Sequence, residues 1–79
     1  MINIDINFMR DIFKKSVELD DTYDLSLHSM FEEVPGWDSI GHMQIIGSIE
    51  EDLDIEFEIE EIVGINTVQK LIDLAKSKL

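Results

Sequence analysis

Apolar residues return every three or four positions in three separate stretches of this chain. Strict alternation occurs once, over Leu53, Ile55, Phe57 and Ile59 with Asp54, Glu56 and Glu58 between them. The first spacing is that of an amphipathic helix, the second that of a half-buried strand. A lone strand in an otherwise helical chain has no edge to pair with, and its backbone groups would stay unsatisfied. The fold class that follows is all-α: a four-helix bundle of three main helices and one short one, with a long first loop. The alternating stretch becomes a connector over residues 54–57.

The first helix is expected over residues 5–18, where Phe8, Met9, Ile12, Phe13 and Val17 share a stripe and Arg10, Asp11, Lys14 and Lys15 lie off it. Asn3 or Asp5 is placed to cap it. Pro35-Gly36 is a breaker, so the second helix is expected to start at Asp38 or Ser39 and to reach Leu53. Its inward stripe is His42, Ile45, Ile46, Ile49 and Leu53, with Met43 at the edge. Ile40, Gln44, Gly47, Ser48 and Glu51 project from the other side. A short helical segment over 58–63 should end at Gly64. Asn66 followed by Gln69 has the spacing of a capping box, so the last helix is expected to take Asn66 as its cap. Val68, Leu71, Ile72, Ala75 and Leu79 share its inner face. The linker over 19–36 is rich in turn-forming Asp and Ser, yet it carries Tyr23, Leu25, Leu27, Met30, Phe31 and Val34. It is expected to fold over the bundle and complete the core.

Seventy-nine residues hold one domain, expected to span 1–79, with no spare volume for an enclosed catalytic cavity. Eighteen Asp and Glu against six Lys and Arg give a net charge of −12. Such a charge repels nucleic-acid phosphates and anionic lipid and attracts basic protein surfaces and divalent cations. No nucleic-acid or membrane partner is expected, and self-repulsion favours a monomer. The absence of Cys excludes a disulfide framework, a zinc-thiolate site and a thiol nucleophile. The start of the sequence lacks the pattern of a secretory signal and no window is apolar enough to span a bilayer, so a cytoplasmic location is expected. Acids crowd the end of the second helix and the connector, where weak surface binding of Mg²⁺ or Ca²⁺ is expected to raise stability. The run Asp20-Asp21-Thr22-Tyr23-Asp24-Leu25 is not an EF-hand loop, because it lacks the required Gly and closing Glu. No dedicated metal site is expected.

Chemistry concentrates in Gly36-Trp37-Asp38-Ser39-Ile40. Ser39 falls at a helix start, where free amides and the positive end of the dipole favour a phosphate attached to its hydroxyl. The same pattern also serves as a plain N-cap, with Asp38 or Ser39 satisfying the first turn. Hydrolase chemistry is not expected: the Gly-x-Ser-x-Gly elbow is absent, and His42 lies on the inward stripe, where it is expected to be packed and hydrogen-bonded. Trp37 admits two placements, a core or lid residue at the bundle end and an exposed contact for a partner enzyme. Met43, Ile46, Ile49, Leu53, Ile59, Ile62 and Leu71 likewise admit two readings, ordinary core and a collapsible apolar cleft.

Asp38-Ser39-Ile40 after Gly36, the acidic second helix and the later Ile65-Asn66-Thr67-Val68-Gln69 resemble the acyl and peptidyl carrier family over residues 8–74. Ile40 stands where that family usually has Leu. The resemblance implies a non-catalytic carrier in which Ser39 receives 4'-phosphopantetheine from coenzyme A through a phosphopantetheinyl transferase. Cargo, acyl or aminoacyl, would ride as a thioester on the arm, so the missing sulfur belongs to the cofactor. Asp38 matches the motif acid. The resemblance further implies docking of a loading ligase and a downstream transferase or synthase through Trp37, Ile40, Gln44, Glu50 and Glu51. Gln44 stands where many members carry an acid. The alternative is an acidic protein-interaction domain with the same fold and no prosthetic group.

Overall fold

The computed structural model describes residues 3–79. Its elements are α1 (Ile6–Val17), α2 (Ser39–Leu53), α3 (Ile59–Gly64) and α4 (Val68–Ser77), in an all-helical chain with one isolated bridge between Met30 and Thr67. Asp5 caps α1 by accepting from the Phe8 amide at 3.0 Å. The helix ends where Glu18 turns into the left-handed region at φ 53° and returns its amide to the Phe13 carbonyl. Asp54 ends α2 in the same conformation.

Met9, Ile12 and Phe13 of α1 pack on Ile45, Ile46, Ile49 and Leu53 of α2, with Val68, Leu71, Ile72 and Ala75 of α4 closing the third side. Ser48, expected on the outer side of α2, is instead half-buried, its hydroxyl 2.7 Å from that of Ser16 on α1. The alternating stretch is a connector, as its lack of a partner requires. Leu53 and Phe57 are buried and Ile55 half-buried, while Ile59 faces solvent. Its alternation records one wet and one dry side.

The long loop completes the core with Leu19, Leu25, Val34 and Trp37, and Tyr23 and Phe31 pack against it. Leu27 and Met30 are the apolar residues of the linker that stay exposed. Their stretch of loop has another task. The Ser29 and Leu27 carbonyls accept from the Val68 and Gln69 amides at 3.1 and 3.0 Å, and the Phe31 amide donates to the Asn66 carbonyl at 2.9 Å. These bonds move the start of the last helix by one residue from its expected position. Thr67 is the cap, accepting from the Lys70 amide at 3.1 Å, and Gln69 turns away to donate to Asp73. The capping box expected on Asn66 therefore does not form. The first amides of α4, which a helix cannot satisfy internally, are satisfied by the loop.

α3 is the least embedded element. None of its residues is buried. Glu61 reaches back to the Glu58 amide at 2.8 Å and takes an ion pair from Lys78 at 2.6 Å.

Candidate functional site: the start of helix 2

Pro35 and Gly36 end the loop, and Gly36 adopts φ +84°, a conformation that side chains rarely take. The Gly36 carbonyl then lies so close to α2 that a Cβ on Gly41 would stand 1.8 Å from its oxygen. Two glycines thus allow the loop to fold hard against the first turn of α2. Asp38 caps that turn, its Oδ1 accepting from the Gly41 amide at 2.8 Å and its carbonyl from the His42 amide at 2.7 Å. Among the described residues the amides of Ser39 and Ile40 take no protein acceptor. Ser39 itself is exposed, as are Asp38, Ile40 and Gln44. A hydroxyl at this position meets solvent on one side and the positive end of a helix on the other.

Beside Ser39 a shallow groove runs between the end of α1 and the first turns of α2, lined by Lys15, Glu18, Asp38, Ile40 and Gln44. Ile40 is 75% exposed, an isoleucine the core does not use. Glu51 is exposed one face further along α2. Glu50 is half-buried, and its carboxylate accepts from the Phe57 amide at 2.9 Å. It holds the connector through that oxygen.

Of the two placements open to Trp37, the structure shows the core one, and its place among the partner contacts is corrected. It is 0% exposed and lies in the core, its ring edge-on to Phe13 at 5.1 Å and to Phe31 at 6.0 Å between centroids. Its indole N–H donates to His42 Nδ1 at 2.8 Å. Reasoning from the sequence missed this bond, although the spacing of Trp37 before a helix start and His42 on its inner face carries the signal. Of the residues weighed as a cleft, Ile46, Ile49, Leu53 and Leu71 are core and Ile62 is half-buried. Met43 and Ile59 lie outside it, 55% and 76% exposed.

Among the described residues no three His, Asp or Glu side chains converge to hold a metal ion. The weak Mg²⁺ or Ca²⁺ sites expected from the sequence therefore have no built position. Asp20 is occupied by its own turn: bonds from the Thr22 hydroxyl and amide hold its carboxyl below the usual range. Among the described residues no helix is long and apolar enough to cross a membrane.

The fold and this corner define a small helical bundle presenting one serine at a helix start, and the comparisons agree. The family model described as "Phosphopantetheine attachment site" matches residues 7–75, and the chain belongs to that family. It is 34% identical over 83 residues to the acyl carrier proteins of Buchnera aphidicola subsp. Acyrthosiphon pisum strains 5A and Tuc7, covering 99% of this chain and 95% of each relative. The solution structure of holo acyl carrier protein from Geobacter metallireducens superposes with a TM-score of 0.81 at 29% identity, covering 92% of this chain and 83% of that one. The chain is thus a non-catalytic carrier of the phosphopantetheine-dependent kind, a family that works by presenting cargo to partner enzymes.

Proposed function

We propose that Ser39 carries 4'-phosphopantetheine, attached by a phosphopantetheinyl transferase, and that the chain acts in the cytoplasm as a monomeric carrier module. The observation that carries this reading is an exposed serine at the first position of α2, beside amides with no acceptor among the described residues. A phosphodiester fits there. Its charge meets the helix dipole, its bulk extends into solvent, and the Asp38 carboxylate is already drawn onto the Gly41 amide. The arm, once attached, supplies the thiol that this chain lacks, on which acyl or aminoacyl cargo rides as a thioester.

The chain's own residues then have distinct tasks. Asp38 fixes the turn and offers its outward oxygen to the transferase. Ile40 and Gln44 flank the attachment point, and Ile40 supplies the apolar contact for a docking enzyme. Glu51 offers a negative charge to basic surfaces on the loading ligase and the downstream transferase or synthase, which the net charge of −12 also draws in.

Intact mass tests the reading. Incubation with coenzyme A, Mg²⁺ and a broad-specificity phosphopantetheinyl transferase is expected to add one phosphopantetheine to the wild type and none to Ser39→Ala. A wild type that stays unmodified with several competent transferases would leave the chain an acidic interaction domain.

A further inference from the structure

We infer, on the reading that Ser39 bears the arm, that the core of this bundle is closed to the cargo, and that the cargo is a short or polar acyl or aminoacyl group and not a long aliphatic chain. Helix geometry sets the path inward from the arm. The residues three and seven positions on from Ser39 share its side of α2, and these are His42 and Ile46. Ser39 is exposed, whereas His42 and Ile46 are buried. A chain leaving the arm for the interior meets His42 first.

That place is taken. An indole N–H can only donate, so His42 Nδ1 is the acceptor of the 2.8 Å bond from Trp37. Nε2 then carries the ring proton and donates to the Ile62 carbonyl at 3.0 Å. The imidazole thus bolts α2 to α3 one turn from Ser39. Phe31 stands edge-on to both rings, 5.4 Å from His42 and 6.0 Å from Trp37 between centroids, and Phe13 closes on Trp37 from α1 at 5.1 Å. Four rings plug the bundle beneath the attachment point.

The neighbouring seams are tied as well. Glu50 of α2 accepts from the Phe57 amide at 2.9 Å, which fastens the connector ahead of α3. Ser16 and Ser48 join α1 to α2 through hydroxyls 2.7 Å apart, and Val17 presses on the contact between Gly36 and Gly41. Among the described residues every buried side-chain nitrogen and oxygen has a partner. Methylenes neither donate nor accept, so an aliphatic chain that enters at His42 leaves the indole, the imidazole and the Ile62 carbonyl unpaired in apolar surroundings. The same chain left outside keeps its methylenes in water. A short or polar group meets neither penalty.

The test loads the full chain with acetyl- and octanoyl-phosphopantetheine from the matching coenzyme A thioesters, using a broad-specificity phosphopantetheinyl transferase and reading the loading by intact mass. Hydrolysis of each bound thioester is compared with that of the same thioester on free coenzyme A, and the NMR spectra of the two loaded forms are overlaid. The two hydrolysis ratios are expected to agree within about twofold, because burying as few as about two methylenes would slow the octanoyl form about tenfold. The signals of the Trp37 indole, Ile46, Ile49 and Leu71 are expected to coincide in the two forms. Tenfold protection of octanoyl alone, or shifts at those core groups with octanoyl alone, overturns the inference. Trp37→Ala vacates an apolar space of the kind that takes up hydrocarbon, and there the octanoyl thioester, but not the acetyl, should become protected about tenfold. Should that variant fail to fold, His42→Ala opens the same path and should act alike. An octanoyl thioester that stays unprotected in a folded variant overturns the role of the plug. A chain that takes no arm from coenzyme A itself defeats the carrier reading and the inference with it, a result that intact mass separates from the others.

Discussion

Gly41 has the least freedom of any residue near the site. A methyl group there would stand 1.8 Å from the Gly36 carbonyl oxygen, so backbone and not a flexible side chain must move. Gly41→Ala is expected to cost at least about 1–3 kcal/mol, the range for overpacking a tight contact, as read by urea denaturation. Trp37→Ala should cost about 3–5 kcal/mol through the cavity it leaves. Trp37→Phe removes little volume but strands His42 Nδ1, and should still cost about 1–3 kcal/mol. A Trp37→Phe protein as stable as the wild type would contradict the buried bond. The start of the second helix was legible from the sequence because cap chemistry is local, residing in Asp38 and the residues just after it. For Trp37 the sequence held a core or lid placement beside an exposed one, and the contacts that decide between them are not local. The choice depends on Phe13 of α1 and on Phe31 within the loop itself, which the fold brings against the indole ring.

The elements show the same division. Each main helix announces itself by its apolar period, but the start of α4 is settled by pairing with a loop some forty residues upstream in the chain. Asn66 and Thr67 are both good caps, and only that pairing selects Thr67. Thr67→Ala is therefore expected to cost about 1 kcal/mol in chemical denaturation, whereas Asn66→Ala, whose exposed side chain bonds to none of the described residues, should stay within about 0.5 kcal/mol of wild type. The reverse ranking would restore the cap expected from the sequence. The tie between α3 and α4 predicts a pH dependence of known sign. The bond from Lys78, and then that from the Glu58 amide, lower the Glu61 carboxyl below its ordinary range. A carboxyl lowered on folding adds stability above its unfolded titration and loses it as the pH falls through the folded value. Lys78→Met should therefore lower the melting temperature slightly at neutral pH, and the gap to wild type should close in strong acid. A gap that persists when Glu61 is protonated would mean that the lysine stem, not its charge, holds α3.

At the scale of the molecule, charge and shape pull in opposite directions. Among the described residues, four of the six basic side chains are in ion pairs, Lys15–Asp52 and Lys78–Glu61 at 2.6 Å, Lys14–Asp21 at 3.0 Å and Arg10–Asp24 at 3.6 Å. The net charge of −12 remains. Moving from about 10 mM to about 150 mM NaCl shortens the screening length from roughly 30 Å to roughly 8 Å. The melting temperature is expected to rise across that interval, and a flat or falling curve would contradict self-repulsion as the main electrostatic term. The acidity that strains the bundle also suits it to basic partners, and Ile40 and Ser39 stand where such a partner would first touch. The most direct measurement is fragmentation mass spectrometry of the protein after incubation with coenzyme A and a phosphopantetheinyl transferase, locating the added group among the serines at 16, 26, 29, 39, 48 and 77. The account predicts that the whole increment resides on Ser39. An increment found on any other serine, or spread over several, would contradict it.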